Sequence, residues 1–101
     1  MSITEEITKM VQTAKEKHNL SPREINNGLC EEFAMAVIER MGGYSDNLEE
    51  VSTESFVNIE SDEWANYPGH VWIYYGDKFY DAECPQGVND WRELPIFRRI
   101  A

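Results

Sequence analysis

PGHVWIYYGDKFYDAECPQGV, residues 68–88, decides how this chain folds. Its two halves, HVWIYY and KFYDAE, are rich in aromatic and β-branched residues and read as strands. Gly76 and Asp77 between them are the sort of pair that a two-residue primed turn uses, so the stretch predicts an antiparallel hairpin. The turn then sets the register. If Tyr75 faces Lys78, then Tyr74 faces Phe79, Trp72 faces Asp81 and His70 faces Glu83, and alternation along each strand puts these last six residues on one side. Asp81 becomes the diagonal neighbour of His70, at a backbone separation of roughly 7–8 Å that their side chains can span. An imidazole where one strand begins and two carboxylates where its partner ends raise the question of a nucleophile elsewhere.

NNGLCEEFAMAVIERMGG, residues 26–43, offers one. From Cys30 the apolar residues recur at Phe33, Ala34, Val37, Ile38 and Met41, and Gly42 and Gly43 follow as C-terminal caps. This predicts a helix over about 29–41 with Cys30 in its first turn, on the buried side, after a tight entry turn through Asn26, Asn27 and Gly28. Upstream, the spacing of Ile3, Ile7, Met10, Val11 and Ala14 predicts a helix over about 3–18, with Ser2 and Glu5 in capping-box positions. Ser21, Pro22 and Glu24 predict one further helical turn. The polar, acidic run from Tyr44 to Glu54 reads as a loop, SFVNIE (55–60) as a strand, SDEWANYPG (61–69) as a second loop and LPIFRRI (94–100) as an edge strand. Together these give a single α+β domain in which N-terminal helices pack on a small antiparallel sheet of three or four strands, spanning about 54–100.

A chain of 101 residues has room for one core, and 42% apolar residues, with three Trp, five Tyr and four Phe, suffice to build a thin one. The net charge of −10 argues against nucleic acid, because an acidic surface releases no counterions from a polyanion. Between Arg40 and Lys78 there is no Lys or Arg, whereas Asp46, Glu49, Glu50, Glu54, Glu60, Asp62, Glu63 and Asp77 all fall there. That stretch would suit a basic or amine-bearing partner, although a solvated acidic surface that keeps a small protein soluble is the stronger reading. The opening MSITEEITKM has neither the positive nor the apolar region of a secretory signal, and no run approaches a membrane span. With two cysteines and no signal, a reducing cytoplasmic setting is expected, although Cys30 and Cys84 would pair in an exported chain.

Chemically, a helix N-terminus favours a thiolate at Cys30, a histidine facing it can take the thiol proton and later return it, and an acid behind the ring fixes its tautomer. Cys30, His70 and Asp81 are the right types on the right kinds of element. A cysteine opening a helix in GLCEEFA, a strand beginning GHVW and a strand ending FYDAE together resemble the core of the transglutaminase-like, papain-related cysteine peptidase superfamily, with this chain as a minimal single-domain member. The resemblance covers about residues 27–84. It implies a papain-like core, Cys30 as nucleophile, His70 as base, Asp81 as its orienter, and a hydrolase or acyltransferase, thiol proteases included, that acts on an amide, isopeptide or ester of a peptide or protein without a cofactor.

Four departures accompany the resemblance. The separation of His70 and Asp81 is short, the domain is small, Glu31 and Glu32 follow the nucleophile and oppose its ionisation, and the oxyanion donor is unassigned. The Cys30 backbone N–H is one candidate donor, and Asn26, Asn27 or Gln86 supplies the other. Glu83 competes with Asp81 for His70, and the resemblance is the main reason to prefer Asp81. Trp72, with Trp64 and Tyr67, lines a cleft or joins the core. Two alternatives stand beside the enzyme: a zinc site completed by Cys84 with Cys30, His70 and Asp81, for which the C-x-x-C spacing is absent, and a non-catalytic acidic binding module of the same fold that occupies a basic surface on a partner protein.

Overall fold

Helix α1, Ile3–His18, starts at Ser2, whose hydroxyl accepts from the Glu5 N–H at 3.1 Å, and stops at Asn19 in the left-handed conformation. Acids fill its first turn and Lys15, Lys17 and His18 its last, as the helix dipole favours. Helix α2, Pro22–Asn26, has a complete capping box between Ser21 and Glu24, with proline in the first turn where its missing N–H costs nothing. Helix α3, Cys30–Arg40, buries Phe33, Ala34, Val37 and Ile38 and is closed by Gly42 and Gly43 at positive φ. The buried Glu6 accepts from Arg40 Nε at 2.7 Å, which ties α1 to α3. The computed structural model describes residues 2–53 and 69–99.

Four antiparallel strands lie in sequential order: β1, Leu48–Ser52; β2, Val71–Tyr75; β3, Lys78–Asp81; and β4, Cys84–Val88. The hairpin register is the expected one, with Tyr75 opposite Lys78, Tyr74 opposite Phe79 and Ile73 opposite Tyr80. Gly76 and Asp77 both have positive φ, at 55° and 67°, as a primed turn demands, and the Tyr74 hydroxyl donates to Asp77 Oδ1 at 2.9 Å.

Each face of the sheet has its own apolar cluster. Leu48, Ile73, Tyr80 and Ala82 pack with Ile3, Ile7, Phe33, Val37 and Ile38 of the helices. Val51 and Trp72 pack on the other face with Trp91, Leu94 and Phe97, brought there by a 3₁₀ turn, Trp91–Glu93, and helix α4, Pro95–Arg98. Trp72 is fully buried, stacked on Trp91 at 5.5 Å between centroids and edge-on to Phe97 at 5.4 Å.

Several sequence expectations are corrected. The expected loop from Tyr44 to Glu54 contains β1, so the sheet begins at Leu48 and its last strand ends at Val88. Glu49 and Glu50 gave β1 a loop-like composition, yet it forms because β2 offers it a free edge and because Leu48 and Val51 reach the two separate clusters. LPIFRRI holds a helix instead of an edge strand. Pro95 has no N–H for a ladder, and Leu94 and Phe97, three apart, both reach the Trp72 cluster only on a helical path. The strand expected to run through Glu83 ends at Asp81, and a turn at Ala82 and Glu83 leads into β4. The strand expected at 55–60, the loop at 61–68, and Trp64 and Tyr67 lie outside the described residues.

Gly87 is the tightest point of the sheet. Its φ is 80°, and a Cβ there would come within 2.6 Å of the Tyr80 ring. Gly43, at φ 104°, has open space around it. Gly43→Ala is therefore expected to cost only the backbone strain, about 1–3 kcal/mol. Gly87→Ala should add about 1–3 kcal/mol of overpacking against the buried ring. Urea unfolding of the two variants checks the ordering.

Candidate active site

Helices α2 and α3 are nearly continuous. Leu29 N–H donates to Ile25 C=O at 2.8 Å, and the break at Asn27 and Gly28 turns the chain so that Cys30 opens the new helix. Ser2 and Ser21 cap α1 and α2, but the residue before α3 is Leu29, which makes no side-chain cap. The first N–H groups of α3 are thereby left to whatever sits at the helix mouth. Cys30 occupies that place, half-buried.

His70 lies one residue ahead of β2. Thr53 holds its backbone from both sides: Thr53 N–H donates to His70 C=O at 3.1 Å, and His70 N–H donates to Thr53 Oγ1 at 3.1 Å. The ring is stacked on Trp72 and lies edge-on to Phe97, each at 5.8 Å between centroids. Its side chain is completely buried. Nε2 is 3.0 Å from Asp81 Oδ2, and the other Asp81 oxygen accepts from the Glu83 N–H at 2.9 Å. A carboxylate can only accept, so the proton of the neutral ring sits on Nε2 and the lone pair on Nδ1. Nδ1 has no hydrogen-bond partner of ordinary geometry among the described residues.

The Cys30 thiol and the His70 ring each influence the other's ionisation. The His70 ring is the largest influence on the thiol and lowers its pKa; partial burial opposes the shift, while the backbone of Val71, the charge of His70 and the backbone of Glu31 assist it. For His70 burial is the largest single influence and pulls the pKa down, but the bonds to Asp81 and then to Cys30 outweigh it, leaving the imidazole above its ordinary value. No hydrogen bond of ordinary geometry joins Nδ1 to the sulfur. The two shifts together favour a thiolate beside an imidazolium.

Cys30 and His70 line a cleft of about 490 Å³ whose walls include Gly28, Gly69, Ser52, Thr53, Glu31 and Glu32. The cleft is within the size range of small-molecule and peptide-side-chain pockets. The remaining sequence candidates fall elsewhere. Asn26 is buried behind Cys30, beside Asp81 and Ala82, and its amide donates to Glu83 Oε1 at 3.2 Å. Asn27 is exposed at the end of α2, and Gln86 is exposed in β4; neither lines the cleft. Glu83 is not opposite His70, because the turn after Asp81 swings it to Arg99, whose Nη1 reaches Oε2 at 2.6 Å. Trp72 belongs to the core and forms the floor under the His70 ring.

The zinc alternative does not assemble. Cys84 packs against the Trp72 cluster, burial raises its pKa, and among the described residues no group of three or more His, Cys, Asp or Glu is placed to hold a metal. Thr53 was not anticipated, since nothing in a threonine 17 residues before a histidine signals that their backbones will meet. No helix among the described residues is long and apolar enough to cross a membrane. No protein-family model, curated protein or solved structure matches the chain.

The two thiols should differ sharply. Cys30 is shifted towards the thiolate and opens on a cleft, whereas Cys84 is shifted towards the thiol. Limited iodoacetamide treatment at pH 7, read by peptide mass spectrometry, is expected to label Cys30 about tenfold or more faster than Cys84.

Proposed function

We propose that this chain is a cysteine-nucleophile hydrolase or acyltransferase with a papain-like, transglutaminase-like core, working on an amide, isopeptide or ester carbonyl of a peptide or protein. The observation that carries this reading is the His70 ring, buried with Nε2 bonded to Asp81 and Nδ1 without a partner among the described residues, lining the same cleft as Cys30. In the reaction the Cys30 proton passes to His70 Nδ1 and the thiolate attacks the carbonyl carbon. The oxyanion meets the uncapped N–H groups at the mouth of α3. His70 then gives the proton to the leaving nitrogen or oxygen, which departs and leaves an acyl-thioester on Cys30. Water or an amine, deprotonated by the same nitrogen, attacks the thioester and expels the sulfur. Asp81 holds the ring through Nε2.

Glu31 and Glu32 on the cleft wall, with the chain's net charge of −10, suit a basic or amine-bearing substrate and a reducing cytoplasmic setting suits the thiol. The same two acids favour the second reading, an acidic binding module with an inert thiol, because negative charge beside the sulfur opposes its ionisation.

Thiol reactivity against pH separates the two. A lowered thiol pKa means that thiolate persists below the ordinary value of about 8.5, and a raised imidazole pKa means that imidazolium persists above about 6.5. The Cys30 alkylation rate should therefore climb and level off at a pH below 8.5 in the wild type, and His70→Ala should return the midpoint to about 8.5. With activated esters, a burst of one acyl group per chain, located on Cys30 by mass spectrometry, is expected and should vanish in Cys30→Ser. Slow alkylation with an ordinary midpoint in both wild type and His70→Ala, together with no acyl adduct, would establish the binding module instead.

A further inference from the structure

We propose that Glu83 is a positioning residue of this site: its carboxylate and its backbone N–H hold the segment that carries Cys30 and the acid that orients His70 in one fixed relation. The inference rests on the reading of Cys30, His70 and Asp81 as a catalytic group. Glu83 lies at the meeting of three parts of the chain. Arg99, just past α4, grips its carboxylate with both Nη atoms, at 2.6 and 3.0 Å. The buried Asn26, at the end of α2, donates to the same carboxylate at 3.2 Å. Its own N–H donates to Asp81 Oδ1 at 2.9 Å, and the second oxygen of that aspartate is the one facing His70 Nε2.

The consequence is geometric. Asn26 stands four residues before Cys30, joined to it through the tight turn at Asn27 and Gly28. Glu83 stands two residues after Asp81. One side chain therefore links the approach of the nucleophile to the approach of the acid, and Arg99 prevents that side chain from moving. The two-pronged guanidinium contact fixes orientation as well as distance, which a single charge contact would not. The Glu83 carboxylate is largely covered, at 14% side-chain exposure, while the Arg99 side chain remains open to solvent at 32%.

Glu83 also stays ionised down to low pH. Burial, the largest influence, pushes its pKa up, but the bonds from Arg99 and Asn26 and the charge of Arg99 overcome it, and the net shift is downward. A carboxylate with a depressed folded-state pKa contributes stability that is present above its unfolded value near 4.3 and is lost as pH falls through the folded value. The clamp is thus closed at neutral pH.

Glu83→Gln tests this, because its sign separates positioning from charge. Glutamine keeps the side-chain length, the backbone N–H and an acceptor for Asn26, but loses the ion pair with Arg99. If Glu83 acted on Cys30 only as a nearby negative charge, removing it would lower the thiol pKa and speed alkylation at pH 6.5. Loss of positioning does the reverse: the midpoint of the alkylation profile moves up towards about 8.5 and the rate at pH 6.5 falls about tenfold. Asn26→Ala, which removes the neutral contact to Glu83 and changes no charge, should shift the profile in the same direction and serves if Glu83→Gln does not fold.

Glu6→Gln breaks a carboxylate ion pair remote from Glu83, that of the buried Glu6 with Arg40. It should lower the melting temperature without moving the midpoint, giving the behaviour of a purely structural pair. The proposal is overturned if the wild-type midpoint is depressed and responds to His70→Ala, yet Glu83→Gln and Asn26→Ala leave it in place or lower it. A wild-type midpoint already at the ordinary thiol value overturns the catalytic reading itself, and the positioning role with it.

Discussion

The bond between His70 Nε2 and Asp81 Oδ2 is the constraint on which the rest of the molecule turns. Both side chains are buried, and neither a buried imidazole nor a buried carboxylate is tolerable without partners. Here Asp81 is satisfied on both oxygens, by the ring and by the Glu83 N–H, and the His70 backbone is closed off by Thr53, while His70 Nδ1 is left without a hydrogen bond among the described residues. The bond also decides the chemistry. By occupying Nε2 it leaves Nδ1 as the basic nitrogen, and so determines which edge of the ring a thiol at the mouth of α3 must approach. A register error of one residue in the hairpin would put His70 and Asp81 on opposite faces, losing both a satisfied interior and an oriented base.

The C-terminal segment supports this bond from behind. Phe97 meets the His70 ring edge-on, Trp91 stacks on Trp72, and Trp72 in turn lies under the imidazole. Arg99 at the end of the same segment holds Glu83, beside Asp81. The aromatic cluster is thus both a second core and a rigid wall for the ring. On the opposite side of the sheet the helices form a conventional apolar core, and α3 brings its uncapped end to the cleft. The pattern of caps is informative here. Serines close α1 and α2, where only stability is at stake, whereas Leu29 leaves the positive end of α3 open at the single half-buried thiol that faces a cleft.

Much of this was legible along the chain, and the reason is that the relevant signals are local. The three N-terminal helices follow from apolar spacing and serine caps, and the hairpin register follows from a two-residue turn that permits no other pairing once Tyr75 faces Lys78. Nearness of His70 and Asp81 was a consequence of that register alone. Where sequence reasoning failed, distant partners had overruled local composition. Glu49 and Glu50 look like loop residues until β2 supplies an edge for β1 to pair with. Leu94, Ile96 and Phe97 look like strand residues until Trp72 and Trp91 supply an apolar surface at helical spacing. Glu83 looked like a partner for His70 until a turn after Asp81 sent it to Arg99.

The sequence by itself determined the α+β class, the placing of Cys30 at a helix mouth and the pairing that brings His70 to Asp81, because each depends on contacts within a few residues or across one tight turn. Only the tertiary structure decided that Cys30 and His70 share a cleft, that Thr53 clasps the histidine backbone, that Asn26 turns inward to Glu83, and that the half-buried Cys84 packs against the Trp72 cluster. Those relations join segments with no local signal for one another. They are selected by the requirement that two buried polar groups and two apolar faces all be satisfied at once, a condition on the whole chain and not on any stretch of it.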